Sequence, residues 1–131
     1  MSLLEIHSIN HNDIPPEIVF EGKKKGLIFR GSDNAVYFGG FIDEKLVTLS
    51  CLVIYKSKSA TIKANFTLEE HRGKGYFSEL NKYVLAYARD HSVEVINLNC
   101  LKDSVDIHVK HGARIWKTTK NIFWLMYNKG F

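Results

Sequence analysis

The chain has 131 residues and a mass of 15.0 kDa; 45% of its residues are hydrophobic and 24% are charged. This composition excludes disordered, collagen-like and multidomain proteins and predicts one globular domain over residues 1–131. The net charge of +4 suits an anionic small molecule as a partner, and it also suits ordinary solubility. Because the basic residues are scattered, nucleic acid is a less favoured partner, and we interpret the run Lys23–Lys25 as a solvated loop.

The two cysteines, Cys51 and Cys100, lie in separate apolar segments, a placement typical of buried free thiols in a reducing compartment. The first ten residues lack a basic segment followed by an apolar one. Charged residues interrupt every apolar run well before the roughly 20 residues that a membrane helix needs. We therefore expect a soluble, cytoplasmic protein that does not associate with a membrane.

The first 35 residues carry the weakest pattern in the chain. Pro15, Pro16, Gly22 and Gly26 interrupt any long periodicity, and they leave room only for a short helix around Glu17–Phe20.

From residue 36 onward the sequence predicts the element order β-β-β-α-β-α-β-β. The clearest strand covers residues 60–68, where every second residue is apolar, and it is followed by a helix whose apolar residues recur at helical spacing. The predicted elements are strands Val36–Ile42, Lys45–Tyr55 and Ala60–Leu68, helix Phe77–Arg89, strand Val93–Cys100, helix Ser104–His111 with Asp103 or Ser104 as N-cap and Gly112 after its end, and strands Ala113–Thr118 and Ile122–Tyr127.

The segment Glu69–Phe77 joins this strand to this helix and contains Gly73 and Gly75 next to two cationic side chains. Glycines let a backbone approach a ligand closely, and the unpaired N–H groups and the dipole of a helix N-terminus favour an anion. The pattern is that of a phosphate-binding loop; a tight β-to-α turn with solvated charges is the alternative. The segment is neither a Walker A loop nor a dinucleotide fingerprint, because it lacks the Gly-Lys-Ser/Thr sequence and the third glycine.

Residues 66–80 resemble the acyl-CoA-binding signature of the GNAT superfamily of N-acyltransferases, with the core motif Gln/Arg-x-x-Gly-x-Gly/Ala; Glu70 stands where Gln or Arg is usual. Residues Leu98–Asp103 and His108–Ala113 resemble the family's fifth strand and the end of its next helix. The resemblance covers about residues 36–131. It implies an α/β fold with a mixed, mostly antiparallel central sheet that is splayed in the middle and flanked by helices.

The resemblance also implies acetyl-CoA as the cosubstrate. In such proteins the backbone N–H groups of the loop hold the pyrophosphate of CoA, and the pantetheine pairs with the edge of the preceding strand, beside strand Val93–Cys100. The implied CoA-binding residues are Asn65, Phe66, Thr67, Arg72, Gly73, Lys74, Gly75, Tyr76 and Phe77.

The activity implied is direct transfer of an acetyl group to an amine. His108 stands where the family commonly has a tyrosine, so it is the candidate general acid, with a structural or solvated histidine as the alternative. For the base, Glu69 and Glu70 lie near the loop but can equally complement the helix N-terminus, and an ordered water is the alternative. Three asparagines can orient such a water: Asn65, Asn97 and Asn99.

Several departures from the family pattern support a second function. The helix before Gly112 is about one turn shorter than in the family, and Ala113 replaces a customary Phe. Together with Glu70 and His108, these departures make a non-catalytic CoA-binding or partner-binding regulatory module the alternative. The short N-terminal region indicates an open acceptor groove, and therefore a protein or peptide acceptor.

The remaining aromatic and histidine residues mostly indicate packing. Tyr76, Tyr83 and Tyr87 recur at helical spacing and predict packing at the edge of the core. For Trp116 and Trp124 the sequence leaves three roles open: covering the sheet edge, lining the acceptor groove or forming a homodimer contact. The other histidines show no ligand spacing, so we predict no metal: His7, His11, His71, His91 and His111.

Overall fold

A computed structural model describes residues 3–131, which form one seven-stranded sheet with helices on both faces. The strand order is β1-β2-β3-β4-β5-β7-β6, and only β4 and β5 are parallel neighbours. This confirms the mixed, mostly antiparallel α/β fold. The elements are β1 Glu5–Ile9, α1 Pro16–Lys24, β2 Ala35–Ile42, β3 Lys45–Ile54, β4 Ser59–Thr67, α2 Tyr76–Asp90, β5 Val95–Cys100, α3 Lys102–Lys110, β6 Arg114–Thr118 and β7 Phe123–Tyr127.

The N-terminal part is more ordered than the sequence indicated. Strand β1 is an edge strand that pairs with β2, and most of its side chains are exposed, so it lacks the alternation that reveals a strand. Helix α1 is longer than predicted, since Pro16 at its first turn presets a helical φ. The expected loop at Lys23–Lys25 is wrong, because Lys23 and Lys24 form the last turn of α1 and Lys25 is its C-cap.

Helix α3 begins earlier than expected. Its N-cap is Leu101, which makes no side-chain capping bond, and the Ser104 N–H donates to the Leu101 carbonyl at 3.1 Å. The prediction of Asp103 or Ser104 as the cap is therefore wrong. Asp103 instead lies in the first turn, where its carboxylate complements the helix dipole.

Hydrophobic clusters on the two faces of the sheet hold the fold together. On one face α2 packs Leu80 and Val84 against Ile96 and Leu125, all fully buried. Burial of such a side chain stabilises the fold by roughly 1.5–3 kcal/mol each. On the other face the helix α1 contributes Ile18 to a second cluster that the strands β2, β3 and β4 complete. The predicted tyrosine packing is present, since Tyr83 and Tyr87 contact the Phe38 ring edge-on.

Strand β4 changes face at Ala64, which has a left-handed φ of 58°. The β3–β4 register shifts at this point, so Leu49 pairs with Phe66 whereas Cys51 pairs with Lys63. As a result Ile62 packs on the α2 side and Phe66 on the α1 side. The uninterrupted alternation expected over residues 60–68 is therefore wrong beyond residue 63.

The sheet is splayed between β4 and β5. The two strands pair only from Ser59–Thr61 to Val95–Asn97, and over residues 62–67 the described pairing of β4 is with β3 alone. The gap opens toward the N-terminus of α2, which follows β4 in the chain.

Cys51 is buried and Cys100 half-buried, and both are free thiols. Within residues 3–131 no helix is long and apolar enough to cross a membrane.

Candidate functional site: the loop and strand edge at the splay

The glycine loop, residues Arg72–Gly75, has the backbone geometry of an anion-binding turn. Gly73 and Gly75 have φ values of +75° and +82°, and Gly75 is the N-cap of the 15-residue helix α2. A Cβ at either glycine would meet no atom within 4 Å, so there is open space next to both positions. The left-handed conformation explains why the chain uses glycine here, and the open space lets a ligand reach the backbone.

The amides at the start of α2 are available to an anion. The first helical hydrogen bond runs from the Glu79 N–H to the Gly75 carbonyl at 3.1 Å, so the N–H groups of Tyr76 and Phe77 precede the helical ladder. The N–H of Arg72 differs, because it donates to the Glu69 carbonyl at 3.2 Å. The exposed Lys74 adds a cation beside these dipoles.

The edge of β4 at the splay presents backbone groups toward the gap. The Leu68 N–H donates to the Val47 carbonyl, and the Phe66 carbonyl accepts from Thr48 Oγ1, so both residues address β3. Because backbone direction alternates along a strand, Asn65 and Thr67 address the β5 side, where β4 has no paired strand in the described register. An amide-containing arm can therefore add to this edge.

Side chains hold this part of β4 in place. Ser50 Oγ donates to Asn65 Oδ1 at 2.6 Å, and the hydroxyls of Thr48 and Thr67 lie 3.0 Å apart. From the glycine loop, Arg72 Nε donates to the Thr67 carbonyl at 3.1 Å. The loop and the strand edge are thus joined by a direct hydrogen bond.

His108 lies in the core and not at the surface of the splay. Its side chain is fully buried, its Nδ1 lies 2.7 Å from the Tyr127 hydroxyl, and its ring meets the edge of Phe77 at a centroid distance of 5.8 Å. Burial, with a smaller effect of His111, lowers the pKa of His108 to about 4. The imidazole is therefore neutral near pH 7.

A polar cluster that the sequence did not reveal surrounds this histidine. The Asn81 amide donates to the Tyr127 hydroxyl at 3.1 Å and lies 2.8 Å from His111 Nδ1, while His111 Nε2 lies 3.2 Å from Ser78 Oγ. Asn81 is fully buried. The available signal was an asparagine on the apolar face of α2, one residue after Leu80. The cluster ties α2, α3 and β7 together.

The carboxylate of Glu70, near the loop, pairs with a lysine of β3. Glu70 Oε1 lies 3.5 Å from Lys45 Nζ, and the pKa of Glu70 is lowered by a hydrogen bond from its own backbone and by Lys45. Its carboxylate is therefore ionised and faces the β2–β3 turn.

Asn97 and Asn99 lie on the α1-facing side of β5, opposite Met126 and Trp124. Across residues 3–131 we find no cluster of three His, Cys, Asp or Glu side chains suited to a metal.

Two cavities lie away from the glycine loop. The larger, of about 540 Å³, is lined by His111, Gly112, Arg114 and the C-terminal residues 128–131. The other, of about 400 Å³, lies between residues 8–11 and residues 31–37. Neither cavity is lined by the glycine loop or by residues 62–67 of β4.

The comparisons with known proteins agree with this architecture. The chain superposes on the ribosomal-protein-S18-alanine N-acetyltransferase from Escherichia coli with a TM-score of 0.80 at 9% identity, covering 98% of this chain and 95% of that one. For the PaiA N-acetyltransferase from Thermoplasma acidophilum in complex with coenzyme A, the TM-score is 0.72 at 13% identity, with 98% and 99% covered. For a GNAT family acetyltransferase from Elizabethkingia anophelis with acetyl-CoA bound, the TM-score is 0.75 at 13% identity, and the superposition covers 98% of this chain and 99% of that one.

These similarities establish the fold, and no curated protein sequence matches the chain significantly. The family is established by a sequence model, since residues 3–113 match that of the acetyltransferase (GNAT) family. This match covers most of the chain and includes both the splay and the glycine loop. The chain therefore belongs to the GNAT acetyltransferase family.

Proposed function

We propose that the protein is an N-acetyltransferase that moves an acetyl group directly from acetyl-CoA to an amine. The observation that carries this proposal is the joining of two sites at the splay: an anion-binding loop at the N-terminus of α2 and a β4 edge open to an amide-containing arm. Arg72 connects them through its bond to the Thr67 carbonyl. A ligand with a pyrophosphate at one end and amides further along fits both sites at once.

The residues divide the binding between them. The amides from Gly73 to Phe77 donate to the pyrophosphate, with Lys74 and Arg72 as nearby cations, and the edge at Asn65–Thr67 pairs with the pantetheine arm. The expectation that Phe66 binds the arm is wrong, because its backbone groups address β3 and its side chain packs in the α1 cluster. When bound, acetyl-CoA supplies a thioester whose acyl carbon an amine can attack.

In this proposal no carboxylate or histidine side chain acts as the base or the acid of the reaction. The strands that line the splay, β4 and β5, contain no Asp or Glu, so we propose an ordered water held by polar groups such as Asn97 as the base. His108 was the candidate acid, but its burial and its pKa of about 4 favour a structural role, in which it packs between Tyr127 and Phe77. That contact positions the first turn of α2.

A non-catalytic CoA-binding or partner-binding module is the second candidate function. Two observations favour it: Glu70 places a carboxylate in the binding motif, and His108 is withdrawn from the cleft. Such a module would bind CoA, or a partner, without turnover.

Calorimetric titration with acetyl-CoA and CoA, followed by an assay of thiol release over a broad amine panel, tests the proposal. We expect saturable one-to-one binding of both ligands and acetyl-CoA-dependent thiol release with some amine. Binding without release across the panel would establish the module instead. Absence of binding at low and at high salt would remove the CoA site altogether.

A further inference from the structure

The side of β4–β7 that faces α1 is open beyond β4. Cross-strand partners share a face, so the row Thr61, Asn97, Met126 and Arg114 lies on the same side as Val53, a member of the α1 cluster. That cluster ends at β4 and includes no residue of β5, β6 or β7. We call this surface the open face; its residues are Thr61, Lys63, Asn97, Asn99, Arg114, Lys117, Trp124 and Met126.

The open face is cationic and lacks carboxylates. Its charged residues are Lys63, Arg114 and Lys117, all exposed, and none of the four strands contains an Asp or Glu. The excess of basic over acidic residues continues in the C-terminal part of the chain, because segment 107–131 contains Lys and Arg residues and no acidic residue. At the border with α1, Lys25 Nζ lies 6.0 Å from the Phe66 ring. Cations therefore flank the splay on both sides.

Two tryptophans add an apolar anchor at the far end of the open face. Trp116 is 56% exposed, and its ring lies 6.2 Å from that of Trp124. Lys117 Nζ lies 5.4 Å from the centroid of the Trp124 ring. Exposed tryptophan next to a basic side chain is the composition of a protein-binding surface.

We propose that the acceptor is the N-terminal amine of a polypeptide whose following residues are acidic, and that these residues dock on the open face. This inference rests on the proposed function. The cations occur on β4 and on β6, which are three strand spacings apart, about 14 Å. An extended chain covers that width with about four residues, whereas a single amino acid does not. The amine would lie at the splay, with its acidic residues directed toward β6.

The charge of the surface also bears on the amine itself. Cations near an ammonium group lower its pKa and so favour the neutral, nucleophilic form. A basic surface repels an acceptor that carries only positive charge, but it attracts one in which neighbouring carboxylates outnumber the amine. Because the strands β4, β5, β6 and β7 carry no Asp or Glu, the open face suits an acidic acceptor and does not suit a polyamine.

The experiment compares pentapeptides that share an N-terminal alanine, followed by glutamates, glutamines or lysines, together with free glutamate. Two readouts are used: thiol release from acetyl-CoA, and the intrinsic fluorescence of the protein, whose two tryptophans both lie at this surface. We expect the glutamate peptide to be acetylated roughly tenfold more efficiently than the glutamine peptide, with a preference that shrinks as salt rises. Equal use of the peptides, or preference for the lysine peptide, would overturn the proposal, as would equal use of free glutamate.

Charge reversal provides the matched test. The double variant Arg114→Glu with Lys117→Glu should lose the preference for the glutamate peptide, while Lys56→Glu, an exposed lysine in the β3–β4 turn, should keep it. A preference that survives the double variant would contradict the assignment of the open face. Fluorescence separates the two proposals: quenching by the glutamate peptide alone, with no thiol release from any peptide or from the broad amine panel, supports the surface and refutes the transferase. Failure of both readouts refutes the surface as well.

Discussion

The two sides of the splay are built from different parts of the chain. The donor side that we propose consists of backbone groups: the amides of the glycine loop and the edge of β4, all within residues 65–77. The acceptor side that we propose consists of side chains from β4, β5, β6 and β7, which only the register of the sheet brings together. A site made of local backbone depends on few residues, whereas a site made of side chains from several strands can change its charge without changing the fold.

The largest expected effect comes from Gly75→Glu, which breaks the donor side alone. The substitution places a negative side chain where the pyrophosphate would bind and removes several charge-assisted hydrogen bonds, so CoA affinity should fall about a thousandfold. Gly130→Glu is the matched control, because Gly130 also has a positive φ, of +97°, and open space around it. Calorimetry on both variants checks this; wild-type affinity in Gly75→Glu would contradict the loop assignment.

The polar cluster behind the loop should make stability depend on pH. His108 has a usual pKa near 6.5 that burial lowers to about 4 in the folded protein, so the unfolded chain binds more protons between these values. Its contribution to stability, of order 3 kcal/mol, is present above pH 6.5 and is lost as pH falls toward 4. His111, whose pKa is also lowered by burial and then by Lys82 and Lys110, contributes with the same sign.

Urea unfolding at pH 5 and pH 7 measures this dependence. The variant His108→Gln does not titrate, so its stability should change less between the two pH values than that of the wild type. Its CoA affinity and its kcat should remain close to wild type if the histidine only packs against Phe77. A selective fall in kcat, with CoA affinity unchanged, would instead assign the proton-donor role to His108.

The smallest expected effect comes from Glu70→Gln. The exposed carboxylate pairs with Lys45 at 3.5 Å and lies three residues before Gly73, so its removal lowers the negative charge near a bound pyrophosphate. CoA affinity should rise roughly two- to fivefold at low salt and less at high salt. Glu69→Gln, at the neighbouring position, is the comparison variant. A fall in affinity would mean that Glu70 supports the loop instead of opposing the ligand.

The contrast between local backbone and side chains from distant strands also explains what the sequence could predict. The glycine loop, the strand before it and the helix after it follow from residues adjacent in the chain, so their positions were predictable. The Ala64 bulge was not, because the alternation of Ile62 and Phe66 is identical whether or not the strand changes face. Strand β1 was missed since an exposed edge strand needs no apolar alternation.

The polar cluster and the open face depend on contacts between distant residues. Asn81 and Tyr127 are 46 positions apart and meet only after α2 packs against β7. Likewise, Lys63 and Arg114 share a face because of the strand order β4-β5-β7-β6, in which β6 follows β7 in space but precedes it in the chain. The burial of His108 also depends on such contacts, and the sequence alone left open whether this residue is a general acid or a structural histidine.

Backbone amide shifts during a titration with CoA test the proposed donor site, because they locate the ligand residue by residue. We predict saturable shifts concentrated in the amides of Gly73–Phe77 and of Asn65–Thr67, with little change at the cavity lined by His111, Gly112 and Arg114. Shifts concentrated at that cavity, or spread evenly over the basic surface, would contradict the assignment of the glycine loop and the β4 edge as the CoA site.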